Sequence, residues 1–216
     1  MKILITGANR GIGAALRQQY LDRGDEVIGT TREHAVSDGW LTLDVADATS
    51  VRSMAEAYGD APLDLLVCNA GIFHDRGADL ETGFPPEMWA EGFAVNVTGV
   101  FLTVQALLPR IRAARGKIAI ISSQMGSDEK AGGGHYIYRA SKAAALNLGR
   151  NLATDLRCDG IAVGIYHPGW VQTDMGGAAA DLDTRTAAEG LIARFDALSP
   201  ATTGVFETWD GRAHPF

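Results

Sequence analysis

Seven short runs of β-branched and apolar residues recur along the chain, each separated from the next by a longer stretch with helical spacing. No other feature limits the fold as much. The runs are KILIT (2–6), EVIGTT (26–31), WLTLDV (40–45), LDLLVCNAG (63–71), KIAIISS (117–123), IAVGIYH (161–167) and GVFETW (204–209), each bounded by Gly, Pro, Asp or Ser. Nearly continuous apolar runs suit strands buried on both faces, as in a parallel sheet covered by helices. Between them, Ala15, Leu16, Gln19 and Tyr20 share one helical face, as do Val51, Met54, Ala55 and Tyr58, and Leu148, Leu152 and Leu156. No linker, repeat or low-complexity tract interrupts the alternation. The expectation is an α/β chain, residues 1–216 as a single doubly wound domain with a seven-stranded parallel sheet and helices on both faces. AGGGHY (131–136) and MGGAAADLD (175–183) read as loops.

Composition narrows the partners. Nineteen Lys and Arg against 26 Asp and Glu leave a net charge of −7 across 216 residues, with no basic stripe, so nucleic acid is not an expected partner. No apolar run approaches the roughly 18 residues of a membrane span, so no membrane partner is expected either. MKILITGANRG turns polar too early for a signal peptide, which makes the expected location cytoplasmic. Cys68 and Cys158 form neither a disulfide framework nor a metal cluster and read as reduced, buried fillers.

The first run leads straight into TGANRGIG (6–13) and then an amphipathic stretch. Glycines in that position let a phosphate approach the backbone and leave the N–H groups and positive dipole end of the helix facing it, as in a Rossmann dinucleotide site. At the end of the second run the sequence reads GTTRE (29–33). Thr31 stands where a carboxylate would bind the ribose hydroxyls of NAD, while Arg32 and Arg10 offer cations for the extra phosphate of NADP. NADP(H) is therefore favoured over NAD(H), with Glu33 as a neighbouring countercharge.

In YIYRASK (136–142), Tyr138 and Lys142 are four residues apart on a helix, so they project side by side. An ammonium close to a phenol favours the phenolate, so the lysine is expected to lower the tyrosine's pKa from about 10 and make it a usable acid and base. Tyr136 has Ala140 at the matching position and is the weaker candidate. Together with TGANRGIG, LDV (43–45), CNAG (68–71), AVNVTG (94–99), ISS (121–123) and HPGWVQTDM (167–175), these residues make the chain resemble the short-chain dehydrogenase/reductase family over nearly its whole length. Within the family it looks most like compact NADP-dependent carbonyl-reductase and C-factor-like members, on the strength of its ending, WDGRAHPF (209–216).

The resemblance implies roles. Tyr138 would protonate the substrate oxygen, Lys142 would assist it and bind the nicotinamide ribose, Ser123 would hydrogen-bond the carbonyl, and Asn96 would hold a water leading to solvent. Gly7, Arg10, Gly11, Ile12 and Gly13 would line the pyrophosphate, and Thr31 and Arg32 the adenosine end. Asp44 and Val45 would contact the adenine, and Asn69, Ala70 and Gly71 would support the sheet edge and the adenosine ribose. Pro168, Gly169, Val171 and Thr173 would hold the nicotinamide. The expected reaction is NADPH-dependent reduction of a ketone or aldehyde, with Met125, His135, Trp170 and residues 175–183 around a small carbonyl or alcohol substrate. An NAD-linked alcohol dehydrogenase and a cofactor-binding regulatory protein are the alternatives. The interval from Ser123 to Tyr138 is long for the family, the extra length falling in KAGGGH (130–135). AAALNLGRNLATDL (143–156) carries small and leucine residues on more than one face, as a homodimer or homotetramer contact would.

Overall fold

A computed structural model describes residues 1–33 and 37–216. All seven expected strands are present: β1 (Lys2–Ile5), β2 (Glu26–Thr31), β3 (Trp40–Thr42), β4 (Leu65–Cys68), β5 (Lys117–Ile121), β6 (Ala162–His167) and β7 (Phe206–Thr208). They form one parallel sheet in the order β3-β2-β1-β4-β5-β6-β7. The order reverses between β1 and β4, and the crevice beyond the carboxyl ends of the strands at such a switch is where doubly wound sheets bind ligands.

Alternate strand residues face opposite helix layers, as the two-residue period of a strand requires. Leu4 of β1 and Leu66 of β4 pack with α2 (Ala48–Tyr58), α4 (Gly99–Ala114) and the end of α5 (Tyr136–Asp155). Ile3, Ile5, Leu65 and Val67 pack instead with Leu16 and Tyr20 of α1 (Gly11–Asp22) and with Ala188, Leu191 and Phe195 of α6 (Thr184–Ala197). Both layers fold onto the sheet by burying apolar side chains, at roughly 25 cal/mol for each Å² removed from water.

Between β4 and β5 the chain runs through α3 (Pro86–Phe93), a π-helical turn (Ala94–Thr98) and α4 as one continuous helix. This corrects the expectation that nothing in the chain is long and apolar enough to cross a membrane: Pro86–Ala114 is, by length and composition. Here its apolar side chains serve the fold. Val100, Val104, Leu107 and Ile111 belong to the core. The expectation for the cysteines also needs amending. Cys68 is buried, with its thiol pushed up to about 12 by desolvation, but Cys158 is exposed in the turn before β6.

Candidate active site

The glycine cradle is built almost entirely from backbone. Gly7 has φ +63°, and a Cβ there would press on the backbone of Ala70. Gly13 could not carry one at all, since it would meet the Gly7 carbonyl and lie 2.6 Å from Asn69 Nδ2. The loop is held from both sides. Gly7 N–H donates to Thr30 Oγ1 (3.2 Å) and Ala8 N–H to the Thr30 carbonyl (2.9 Å), both on β2. Asn69, just past β4, donates from Nδ2 to the carbonyls of Thr6 and Gly7, both at 3.0 Å, while Thr6 Oγ1 accepts from the N–H groups of Asn69 and Ala70. The side chain of Asn69 therefore braces the loop.

Helix α1 opens with no side-chain cap. The N–H groups of its first turn, with Gly11 and Ile12 in it, follow the carboxyl end of β1 at the switch point, the part of a helix where an anion is favoured. Gly71 lies against Asn96 Oδ1 and Lys142 Nζ. Asp44 Oδ1 accepts from the Ala46 N–H, and Val45, buried, packs on Gly99. Thr31 Oγ1 accepts from the Glu33 N–H, and Arg32 is exposed. The Arg10 guanidinium pairs with Asp174 at 2.7 Å, in the loop after β6. That loop reaches the cradle a second time, since a Cβ on Gly11 would touch Thr173. Pro168 and Val171 are buried beneath it, and Gly169 at φ +89° abuts Leu182 and Trp209.

The second cluster gathers side chains from distant segments. Strand β5 stops at Ile121, so Ser123 lies past its end, capping the short 3-10 turn Gln124–Gly126 with its hydroxyl accepting from Met125 N–H. That turn packs so tightly on α5 that a Cβ on Gly126 would sit 2.6 Å from the Lys142 carbonyl carbon. Ser122 Oγ also donates to the Lys142 carbonyl. Tyr138 and Lys142 are both buried, at 8% and 5% exposure, and the ammonium lies 5.6 Å from the phenol ring centre while donating to the Ile121 carbonyl at 3.0 Å. Tyr136, by contrast, is exposed.

Electrostatics correct one expectation. The pKa of Tyr138 is raised, not lowered. Burial pushes the phenol up to about 12, the neighbouring Ser123 hydroxyl pulls the other way, and the Asp75 charge adds to the rise. Burial also brings Lys142 down to about 8. Desolvation disfavours the charged form of either group, and it is the largest cause of both shifts.

Asn96 occupies the centre of the π-helical turn, where the Gly99 N–H reaches back to Ala94. Its Nδ2 donates to the Ile72 carbonyl and to Ser141 Oγ, both at 3.0 Å, and its Oδ1 accepts from the Ile72 N–H. Such turns recur at functional sites. Three residues that sequence reasoning missed belong here. Phe73 stacks on Tyr138 with centroids 4.3 Å apart. Ser141, fully buried, links Asn96 to the Tyr138 carbonyl, and Asp75 accepts from the N–H groups of Ile137 and Tyr138. Their spacing from YRASK carries no local signal, although Ser141 lies inside that motif. Of the residues expected around a substrate, His135 sits edge-on to Phe73, and Trp170 is exposed, its Nε1 donating to the Gly176 carbonyl.

A doubly wound sheet, a glycine turn at its switch point and a buried Tyr–Lys pair beside Gly71 are features of an NAD(P)-dependent oxidoreductase. The chain belongs to the short-chain dehydrogenase family, whose sequence profile matches residues 1–183. It is 31% identical over 223 residues to the 1-hydroxy-2-glutathionyl-2-methyl-3-butene dehydrogenase of Rhodococcus sp. (strain AD45), covering 97% of this chain and 96% of that one. It is 35% identical over 168 residues to the C-signal protein of Myxococcus xanthus, covering 77% of this chain and all of that one. Among solved structures, the NADPH-bound carbonyl reductase from chicken fatty liver superposes with a TM-score of 0.89 at 27% identity, covering 100% of this chain and 98% of that chain.

Proposed function

We propose that the protein reduces a ketone or aldehyde to an alcohol, with NADPH supplying the hydride. The observation that carries this reading is the buried Tyr138, one turn from Lys142, whose ammonium lies 5.6 Å from the phenol ring centre and against Gly71 beside the glycine cradle. Gly7, Gly11, Ile12 and Gly13 would hold the pyrophosphate, and Arg32, with no carboxylate at Thr31, the extra phosphate of NADP. The similarity to an NADPH-bound carbonyl reductase supports that preference.

With its pKa near 12, Tyr138 keeps its proton at neutral pH, which is the form a proton donor needs. Ser123 would hydrogen-bond the same carbonyl oxygen and steady the charge that develops on it. Lys142 would steady the tyrosinate left after proton transfer. Asn96, tied to Ile72 and Ser141 and lying with Lys142 against Gly71, would hold the water through which the proton is replaced.

The test is titration of the purified protein with NADPH and NADH by calorimetry, followed by NADPH oxidation against a panel of aldehydes, ketones and quinones. NADPH-selective binding with turnover of a panel member is the expected result. Absence of binding by either cofactor would overturn the reading. Arg32→Asp should weaken NADPH and favour NADH in relative terms; equal affinities before and after the change would remove the phosphate-recognition argument. A second reading, a regulatory protein whose cofactor occupancy matters more than turnover, is favoured by the likeness to a protein named C-signal. The intact Ser123, Tyr138 and Lys142 weigh against it.

A further inference from the structure

Helix α5 begins awkwardly. Its N-cap, His135, is left-handed at φ +49° and offers no side-chain cap to the first-turn N–H groups, which need a partner when buried. That partner comes from 62 residues away: Asp75 Oδ2 accepts from Ile137 N–H at 2.8 Å, and from Tyr138 N–H at 3.3 Å across 63 residues. Asp75 is only 1% exposed, and its Oδ1 has no hydrogen-bond partner. An unpaired buried carboxylate is costly, and an uncharged acceptor would cap a helix equally well. Two residues earlier, Phe73 lies flat on the Tyr138 ring at 24°. The stretch from Phe73 to Asp75 thus grips both the ring and the main chain of one residue.

We propose that Asp75 is a positioning residue for the reduction, fixing the first turn of α5 so that the Tyr138 phenol stands at the substrate oxygen. The proposal rests on reading Tyr138 as the proton donor. The groups facing that phenol are Lys142 on its own helix, Ser123 from beyond β5 and Asp75 from beyond β4, with His135 one ring further off against Phe73. Of these charges, that of Asp75 favours the protonated phenol.

The experiment compares Asp75→Ala, Asp75→Asn and Tyr138→Phe in the full chain, using NADPH and the panel carbonyl that wild type turns over fastest, together with amide hydrogen exchange at Ile137 and Tyr138. Asp75→Ala should lower kcat by about 10- to 100-fold well below its melting temperature, the scale of a small misplacement, with KM for NADPH unchanged and both amides exchanging faster. Asp75→Asn keeps an oxygen for the two N–H groups, so it should restore most of kcat. It should also move the rise of alcohol oxidation with pH to lower pH, because the charge that holds the phenol proton is gone. A merely structural role would lower the melting temperature and leave kcat measured well below it unchanged. Wild-type kcat in Asp75→Ala, or amide exchange at the wild-type rate, overturns the proposal whatever the substrate. If Tyr138→Phe is inactive while Asp75→Ala is not, only the Asp75 proposal falls; if Tyr138→Phe keeps wild-type turnover, the proton-donor reading falls and takes this proposal with it.

Discussion

The glycine cradle between β1 and α1 and the Tyr138 cluster between β5 and α5 border one crevice, yet they are built in opposite ways. The cradle is backbone, braced by Thr30 and Asn69 through hydrogen bonds of 2.9–3.2 Å that leave its first-turn N–H groups free for a ligand. The Tyr138 cluster is side chains brought in from residues 73–75, 96, 123 and 138–142, and it keeps groups that burial disfavours: an ammonium brought down to about 8 and a carboxylate with an unpartnered oxygen. A binding cradle can thus be stable in itself. The Tyr138 cluster holds polar groups in a dry place, and the rest of the fold offsets their cost.

The sharpest way to break the cradle is Gly13→Ala. A Cβ there overlaps a backbone carbonyl and the Asn69 amide, so a loss of about 3 kcal/mol in stability is expected, at the upper end of overpacking costs, and cofactor titration should detect no binding.

Breaking the other region should have the opposite sign. Lys142→Met removes a fully buried ammonium and should raise stability at pH 7 by about 1–3 kcal/mol while abolishing turnover, as denaturant melts and NADPH oxidation would record. The pH dependence follows from the same group. Its folded pKa of about 8 lies below the ordinary 10.5, so between those values the unfolded chain binds more protons and stability rises with pH. Melts of wild type should show that rise, and Lys142→Met should lack it. Reductase activity should fall above about pH 8 as the ammonium deprotonates.

Asn69→Ala is milder, removing two bonds to the carbonyls of Thr6 and Gly7. The expected loss is about 1–3 kcal/mol, with NADPH affinity falling alongside. The smallest effect belongs to Asp174→Asn. Both partners of the Arg10 pair are largely exposed, so the change should alter stability by less than about 1 kcal/mol; with Arg10 released toward the cofactor, NADPH affinity should hold or rise slightly.

The same contrast governs what the sequence disclosed. The strands and the cradle are written in local patterns, so TGANRGIG and the seven apolar runs led to the sheet. Tyr138 and Lys142 were legible because helical spacing makes them neighbours. Their protonation was not, because the burial that shifts both groups comes from the whole fold. Helix α3 and its continuation through Ala94–Thr98 escaped notice because Asn96, Thr98 and Gly99 break the helical pattern at the π-helical turn, and Pro109 interrupts α4. Phe73 and Asp75 lie more than 60 residues from the tyrosine they hold, a distance no local pattern spans.

The most direct test of the central claim is one comparison: NADPH affinity and NADPH-dependent carbonyl reduction by wild type and Tyr138→Phe, measured on the same preparations. The account predicts equal affinities, since the cradle is independent of the phenol, and turnover reduced by about 100-fold or more in the variant. Wild-type turnover in Tyr138→Phe would contradict it.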